Sequence, residues 1–342
     1  MTRTQVEPTQ SPAGLTHNEL VRVSALTKTF PIGGGRFRAP ISFIHAVDDL
    51  SFSIQRGSNL ALVGESGSGK TTTGKLLVRL LDPSAGSVQM HFDGAVSDLA
   101  LMRGRELKRF RRHVQMIFQD PYESLNPRRT IYDTVAEPLA VQGIGDLLDR
   151  QERVAEILHL VGLTPPSSYM FRYPHELSGG QRQRIAIARA LVVQPLFVVA
   201  DEPTSMLDVS VRTGIMQLMQ SLAERLGVTY LYITHDLAVA RYMADRIAVM
   251  YLGKIVEIGP TEEVLHQPQH PYTKALLSAV PIPDPRVKRE PIVLRGGISK
   301  PIDPPARCRF YDRCPLAAEV CAEQPHPPLE FANKHGVACY RV

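Results

Sequence analysis

Gly64-Glu65-Ser66-Gly67-Ser68-Gly69-Lys70-Thr71 fits the phosphate-binding P-loop pattern, a glycine-rich turn closed by Lys-Thr. Its glycines let the backbone curl until several N–H groups face one anion. A helix opening there adds the positive end of its dipole. Lys70 would reach the β- and γ-phosphates, and the Thr71 hydroxyl, with Thr72 beside it, would hold Mg²⁺. A second group follows far downstream. Leu196-Phe197-Val198-Val199-Ala200 is an apolar strand pattern that runs straight into Asp201-Glu202. Two carboxylates at the end of a buried strand imply a compensating cation. Asp201 is suited to hold Mg²⁺, and Glu202 to polarise an attacking water.

Those residues need a scaffold that brings strand ends together. Apolar alternation or short apolar runs predict strands over Val21–Leu26, Ala46–Ile54, Asn59–Val63, Val114–Phe118, Leu196–Ala200 and Thr229–Ile233. Helical spacing covers Thr71–Leu81, Asp133–Val141, Arg150–Val161, Ser178–Val192, Ser210–Leu226 and Leu237–Ala244. Strands alternating with helices predict a largely parallel sheet covered on both faces. The P-loop then has the strand-before, helix-after context that it needs.

Composition bounds the rest. The 342 residues allow one large domain with a smaller appendage. A hydrophobic fraction of 44% with 21% charged residues is ordinary for a globular protein. A net charge of +5 does not call for nucleic acid, and the basic run Arg103–His113 reads as a solvated helix face. The Thr/Pro/Gln-rich segment 1–20 reads as a mobile tail and not as a signal peptide. The most apolar stretch, Ile185–Ala200, is broken by Arg189, Gln194 and Pro195, so no membrane span is expected. Prolines crowd residues 281–305 and mark a linker into a tail that holds every cysteine.

Leu177-Ser178-Gly179-Gly180-Gln181 carries a resemblance to ABC ATPases, whose five-residue signature it matches. Gln119 is similar to the Q-loop glutamine, Ser205-Met206-Leu207-Asp208 to the D-loop with Met206 where alanine is usual, and His235 to the H-loop histidine. The likeness covers roughly Val21 to Pro260. It implies a P-loop ABC ATPase of α/β class: a RecA-like core, an antiparallel β subdomain and a helical subdomain over about 120–177. It further implies Glu202, His235 and Gln119 as the catalytic set, Thr71, Gln119 and Asp201 around Mg²⁺, and an aromatic on adenine, for which Phe30 is chosen over Phe43. Ser178, Gly179, Gly180 and Gln181, with Asp208, would act in trans on ATP held by a second cassette.

The run Phe118-Gln119-Asp120-Pro121-Tyr122-Glu123-Ser124-Leu125-Asn126-Pro127-Arg128 and the downstream His270-Pro271-Tyr272-Thr273-Lys274-Ala275-Leu276-Leu277 resemble the oligopeptide, dipeptide and nickel importers. Tyr122 resembles their F-type subunit. The resemblance implies an ATPase peripheral to the cytoplasmic face of the inner membrane. Its expected partners are a second ATPase subunit of D type, two permease subunits and an extracytoplasmic solute-binding protein. The expected domains are the cassette over 21–260 and an extension over 261–342. DNA-repair relatives carry a long coiled coil between P-loop and signature, and ribosome-acting ones usually carry two cassettes. Here the gap is roughly a hundred residues and there is one cassette. The intact Glu202 and His235 argue against an inert regulatory partner.

Cys308, Cys314, Cys321 and Cys339 are the only cysteines. Clustered thiols in an intracellular chain suggest metal over disulfides. Gaps of five, six and seventeen residues suit zinc poorly, since zinc sites usually hold one close pair. Cys314-Pro315 is similar to the Cys-Pro ending of iron–sulfur sites, and Arg307, Arg309 and Arg313 would offset thiolate charge. Some members of the peptide-importer group hold a [4Fe–4S] cluster in this extension, so the resemblance favours that cluster, with zinc and free thiols as alternatives. A tail this short buries little core alone, and a metal would supply its folding energy.

Overall fold

The computed structural model describes residues 15–16, 18–33, 41–280, 292–297 and 300–342. Most of the expected tail 1–20, much of the connection at 31–42 and part of the Pro-rich linker lie outside them. The strands are β1 (Glu19–Ile32), β2 (Ser42–Gln55), β3 (Leu60–Val63), β4 (Ala85–Phe92), β5 (Ala95–Asp98), β6 (Val114–Ile117), β7 (Phe197–Asp201), β8 (Thr229–Thr234), β9 (Arg246–Tyr251), β10 (Lys254–Pro260), β11 (Glu330–Ala332) and β12 (His335–Val337).

Side-chain alternation on the central strands divides the interior in two. Leu60, Leu62, Phe197, Val199, Leu231 and Ile233 face one apolar cluster. Ala61, Val63, Val198, Ala200, Tyr230 and Tyr232 face the other. Period-two alternation with apolar residues on both faces is what a doubly covered sheet requires. The strands β9-β3-β8-β7-β6 are parallel neighbours in that order. β10 and β12 add to the β9 side as antiparallel strands, and β11 closes the edge. A separate antiparallel sheet, ordered β2-β1-β4-β5, packs its apolar residues into the first cluster.

Several elements are longer or additional relative to the periodicity reading. β1 and β2 extend far beyond the predicted cores because they pair along most of their length, from Glu19↔Gln55 to Ile32↔Ser42. β4, β5, β9 and β10 were not foreseen. The helix expected to reach Leu81 stops at Leu77. Arg79 takes a left-handed φ of 57° there, and its buried guanidinium donates to the Leu99 carbonyl at 2.6 Å. Satisfying that buried charge outweighs one more helical turn. The basic run forms helix Gly104–His113, as expected, with Phe110 buried and Leu107 partly buried against the core.

Between P-loop and signature, helices Ile131–Gln142 and Leu147–Leu160 pack against Gly179–Leu191. Thr130, Asp146 and Ser178 cap their N-termini with side-chain oxygens. No helix among the described residues is long and apolar enough to cross a membrane.

The segment beyond residue 260 does not stand alone. β12 pairs with β10 through Glu257↔Val337. Cys308, Phe310, Cys314 and Cys321 join the same apolar cluster as β7 and β8. The tail therefore borrows the cassette's core, which weakens the sequence argument that a metal must supply its folding energy.

Candidate active site

In open parallel sheets, ligands gather beyond the carboxyl ends of the strands. β3 ends at the P-loop, β6 leads to Gln119, β7 ends at Asp201 and β8 leads to His235. One edge of one sheet thus collects residues from four distant stretches.

The P-loop is shaped by close backbone approach. A Cβ on Gly64 would lie 2.2 Å from the Met250 carbonyl, and one on Gly69 2.1 Å from that of Ala46. Gly69 also takes a φ of 107° at the start of helix Lys70–Leu77. Lys70 is buried, and its Nζ donates to the carbonyls of Gly64 at 2.7 Å and Glu65 at 2.9 Å. Burial lowers its proton affinity, while the charges of Glu202, Asp201 and Glu65 act the other way. Ser66 and Gly67 are exposed at the tip, Ser68 is buried, and Thr72 is half-buried in the first helical turn.

Thr71 Oγ1 donates to Asp201 Oδ1 at 3.2 Å, joining two of the three expected Mg²⁺ ligands. Burial pushes the Asp201 carboxyl up, the Thr71 bond opposes it, and the neighbouring Glu202 charge adds to it. Glu202 follows with a left-handed φ of 45°, a costly conformation for a non-glycine residue. Its N–H is tied to the Ile233 carbonyl at 2.8 Å. One carboxylate oxygen meets His235 Nδ1 at 2.9 Å, and the other accepts from Gln119 Nε2 at 3.1 Å. Of the three residues expected to act on water, Gln119 and His235 therefore both meet the Glu202 carboxylate. Thr71, Phe118, Gln119, Asp201 and Met206 line one cavity of about 540 Å³ beside them.

Ser178 caps its helix by accepting from Gln181 N–H at 3.3 Å, while Gln181 Oε1 accepts from Ser178 N–H at 3.0 Å. Gly180 lies against Val211 and Gly179 near Leu207, beside the D-loop. Asp208 precedes helix Val209–Leu226 without a side-chain cap. Among the described residues, no hydrogen bond joins this signature turn to the P-loop. Phe30 and Phe43 sit on neighbouring strands one pair apart, with Phe30↔Ile44 and Pro31↔Phe43. The Lys28 ammonium covers the Phe30 ring at 5.2 Å.

Residues 47–205 match the ABC transporter family and residues 256–321 the oligopeptide/dipeptide transporter C-terminal region. The oligopeptide transport ATP-binding protein AppF of Bacillus subtilis is 45% identical over 94% of this chain and 97% of its own length. The dipeptide transport ATP-binding protein DppF of Haemophilus influenzae is 44% identical with the same two coverages. This chain belongs to the ABC transporter family. Among solved structures, a dimeric bacterial ABC transporter cassette superposes with a TM-score of 0.61 at 31% identity, covering 71% of this chain and 99% of that one. A post-hydrolysis dimer of the same cassette, bound to ADP and phosphate, matches equally well. The catalysed reaction is ATP hydrolysis.

Sequence reading missed two contacts at this site. The Glu65 carboxylate, counted among the nucleotide-binding groups, accepts from Arg313 Nη1 at 2.7 Å and Nη2 at 3.2 Å. The Glu65 N–H donates to the Tyr272 hydroxyl at 2.9 Å. The downstream motif of His270, Pro271 and Tyr272 was a usable signal, but nothing local says that it reaches the P-loop.

The four cysteines form no disulfide, and three are buried. Burial pushes the Cys308 thiol up to about 11, with Cys321, Cys339 and Cys314 adding to the rise. Cys308, Cys314 and Cys321 lie in one apolar cluster, and Cys308 N–H donates to the Cys321 carbonyl at 3.1 Å. Among the described residues, no three His, Cys, Asp or Glu side chains are arranged to hold a single metal ion. The expected iron–sulfur cluster and the zinc alternative are both without support from this arrangement.

Proposed function

We propose that this chain energises the import of di- or oligopeptides, docked to a membrane permease on the cytoplasmic face. The observation that carries the proposal is the union of a complete ATPase site with the oligopeptide/dipeptide C-terminal region. MgATP enters as substrate at the P-loop. Lys70 and the P-loop N–H groups bind its phosphates, Thr71 and Asp201 hold the accompanying Mg²⁺, and Gln119 completes that shell. Glu202 accepts the proton of the attacking water, oriented by His235 and Gln119. Phe30 is the choice for stacking on adenine. Ser178, Gly179, Gly180, Gln181 and Asp208 serve the nucleotide of the facing cassette, a D-type paralogue, so ATP joins two cassettes and hydrolysis parts them. Two permease subunits and an extracytoplasmic solute-binding protein complete the assembly, which has no nucleic-acid partner.

The experiment is reconstitution. Co-expression with the permease pair and partner cassette, in vesicles holding the solute-binding protein, should give ATPase stimulated by peptides. Stimulation by nickel or glutathione alone would replace the cargo, and recovery with ribosomes instead of permease would sink the reading.

Docking involves the helical segment. Tyr122 is 62% and Phe171 71% exposed. Tyr122→Asp and Phe171→Asp should uncouple ATPase from transport at least about tenfold, the effect of losing a buried aromatic contact. Transport at the wild-type rate would place the contact elsewhere. Leu125, close by in the chain, is buried and would report on folding instead.

Cys308, Cys314, Cys321 and Cys339 are assigned to an iron–sulfur cluster, which spreads its thiolates wider than one zinc ion does. Held there, the cluster would cross-link the tail. Anaerobic purification followed by assay of iron, acid-labile sulfide and zinc is the test. Iron and sulfide in equal amounts are expected; zinc without iron would support the alternative, and a metal-free, ordered tail would defeat both.

A further inference from the structure

We propose that Tyr272 and Arg313 are positioning residues for the P-loop, making the C-terminal extension a working part of the ATP site. Glu65 lies inside the P-loop, and each of its polar groups is already engaged. Its N–H goes to Tyr272, its carboxylate to both Arg313 terminal nitrogens, and its carbonyl to Lys70. Two of these three anchors come from residues more than 200 positions away.

The anchors are themselves fixed. Tyr272 is fully buried, its ring 4.7 Å from Tyr251 and 5.4 Å from Phe310. Its own N–H donates to His270 Nδ1 at 3.1 Å, which caps helix Pro271–Ser278. Glu257 accepts the N–H groups of Gln269 and His270 and also meets His335 Nε2, tying β10, this helix and β12 together. The Arg313 side chain is 9% exposed and lies near the Tyr251 ring. His270 aims Tyr272, and Tyr272 holds the loop.

Two physical consequences follow. A loop held before ATP arrives loses less freedom on binding, so preorganisation appears as affinity. Arg313 also neutralises a carboxylate that would otherwise stand unpaired beside a polyphosphate. With the Glu65 N–H given to Tyr272, the later amides of the turn are left to face the phosphates.

The test uses the full chain and relies on the family's ATPase activity. Tyr272→Phe removes only the hydroxyl and should raise KM and Kd for MgATP about three- to tenfold, the worth of one neutral hydrogen bond. Turnover at saturation should stay within about twofold, because only binding is affected. Arg313→Gln should raise KM by roughly ten- to a hundredfold, since a bidentate charged contact is lost and Glu65 is unmasked. Arg313→Lys should recover part of this. Adding Glu65→Gln to Arg313→Gln should recover most of the charge effect, which a structural defect would not allow. An unchanged KM in folded Tyr272→Phe and Arg313→Gln, or a fall in kcat at constant KM, overturns the proposal. Failure of the wild-type chain to bind ATP would instead overturn the site assignment itself. Should Tyr272→Phe not fold, the Glu65 and Arg313 variants carry the test.

Discussion

Glu202→Gln should lower steady-state ATP turnover by roughly 10²- to 10⁴-fold, the usual worth of a positioned general base. The amide keeps the shape of the side chain and can still reach Gln119 and His235, which meet the carboxylate at 3.1 and 2.9 Å. It cannot take the proton of the attacking water. ATP binding does not need that proton, so ATP-dependent pairing of cassettes should persist and even accumulate. Turnover assays and size-exclusion chromatography with MgATP read the two halves separately. Wild-type turnover would strip Glu202 of this role and leave His235 and Gln119 as the groups that position the water. The strained backbone at Glu202 supports the first outcome, since a left-handed non-glycine residue persists only where its surroundings hold it there.

Lys70→Ala should weaken MgATP binding by roughly ten- to a hundredfold and abolish transport, the scale of a charged hydrogen bond lost in a buried site. The ammonium donates to two P-loop carbonyls. These bonds aim it into the loop, and burial lowers its proton affinity while the nearby acids oppose that lowering. Equilibrium titration with a fluorescent nucleotide separates this effect from a loss of hydrolysis alone. Unchanged affinity with unchanged ATPase would remove the P-loop from phosphate binding. Lys70→Ala removes attraction for bound phosphate, whereas Glu202→Gln spares binding and removes chemistry. Opposite effects on nucleotide-driven pairing are therefore expected from the two.

The local chemistry was legible in the chain. A phosphate cradle needs consecutive amides, glycines and a lysine within one turn, so residues 64–71 could be read without knowing their neighbours. The same holds for the acids that end β7, and for the Ser178 cap with its Gln181 partner three residues on. Central strands such as β7 and β8 were visible because a sheet covered on both faces demands uninterrupted apolar runs. β9 and β10 lie in a similar apolar stretch, but no motif marked them.

What the tertiary structure decided is which distant pieces meet. Gln119 and Glu202 are 83 residues apart, and His235 is 33 from Glu202, yet both touch its carboxylate. Only the parallel order β6-β7-β8 brings their strand ends side by side. Leu125 could not be told from its exposed neighbour Tyr122 by sequence, because burial there depends on the packing of separate helices. The same limit hid the contacts of Glu65 with Tyr272 and Arg313, at separations of 207 and 248 residues. Short-range pattern encodes what a turn can bind. Long-range packing, set by two apolar cores meeting across one sheet, determines which residues hold that turn in place.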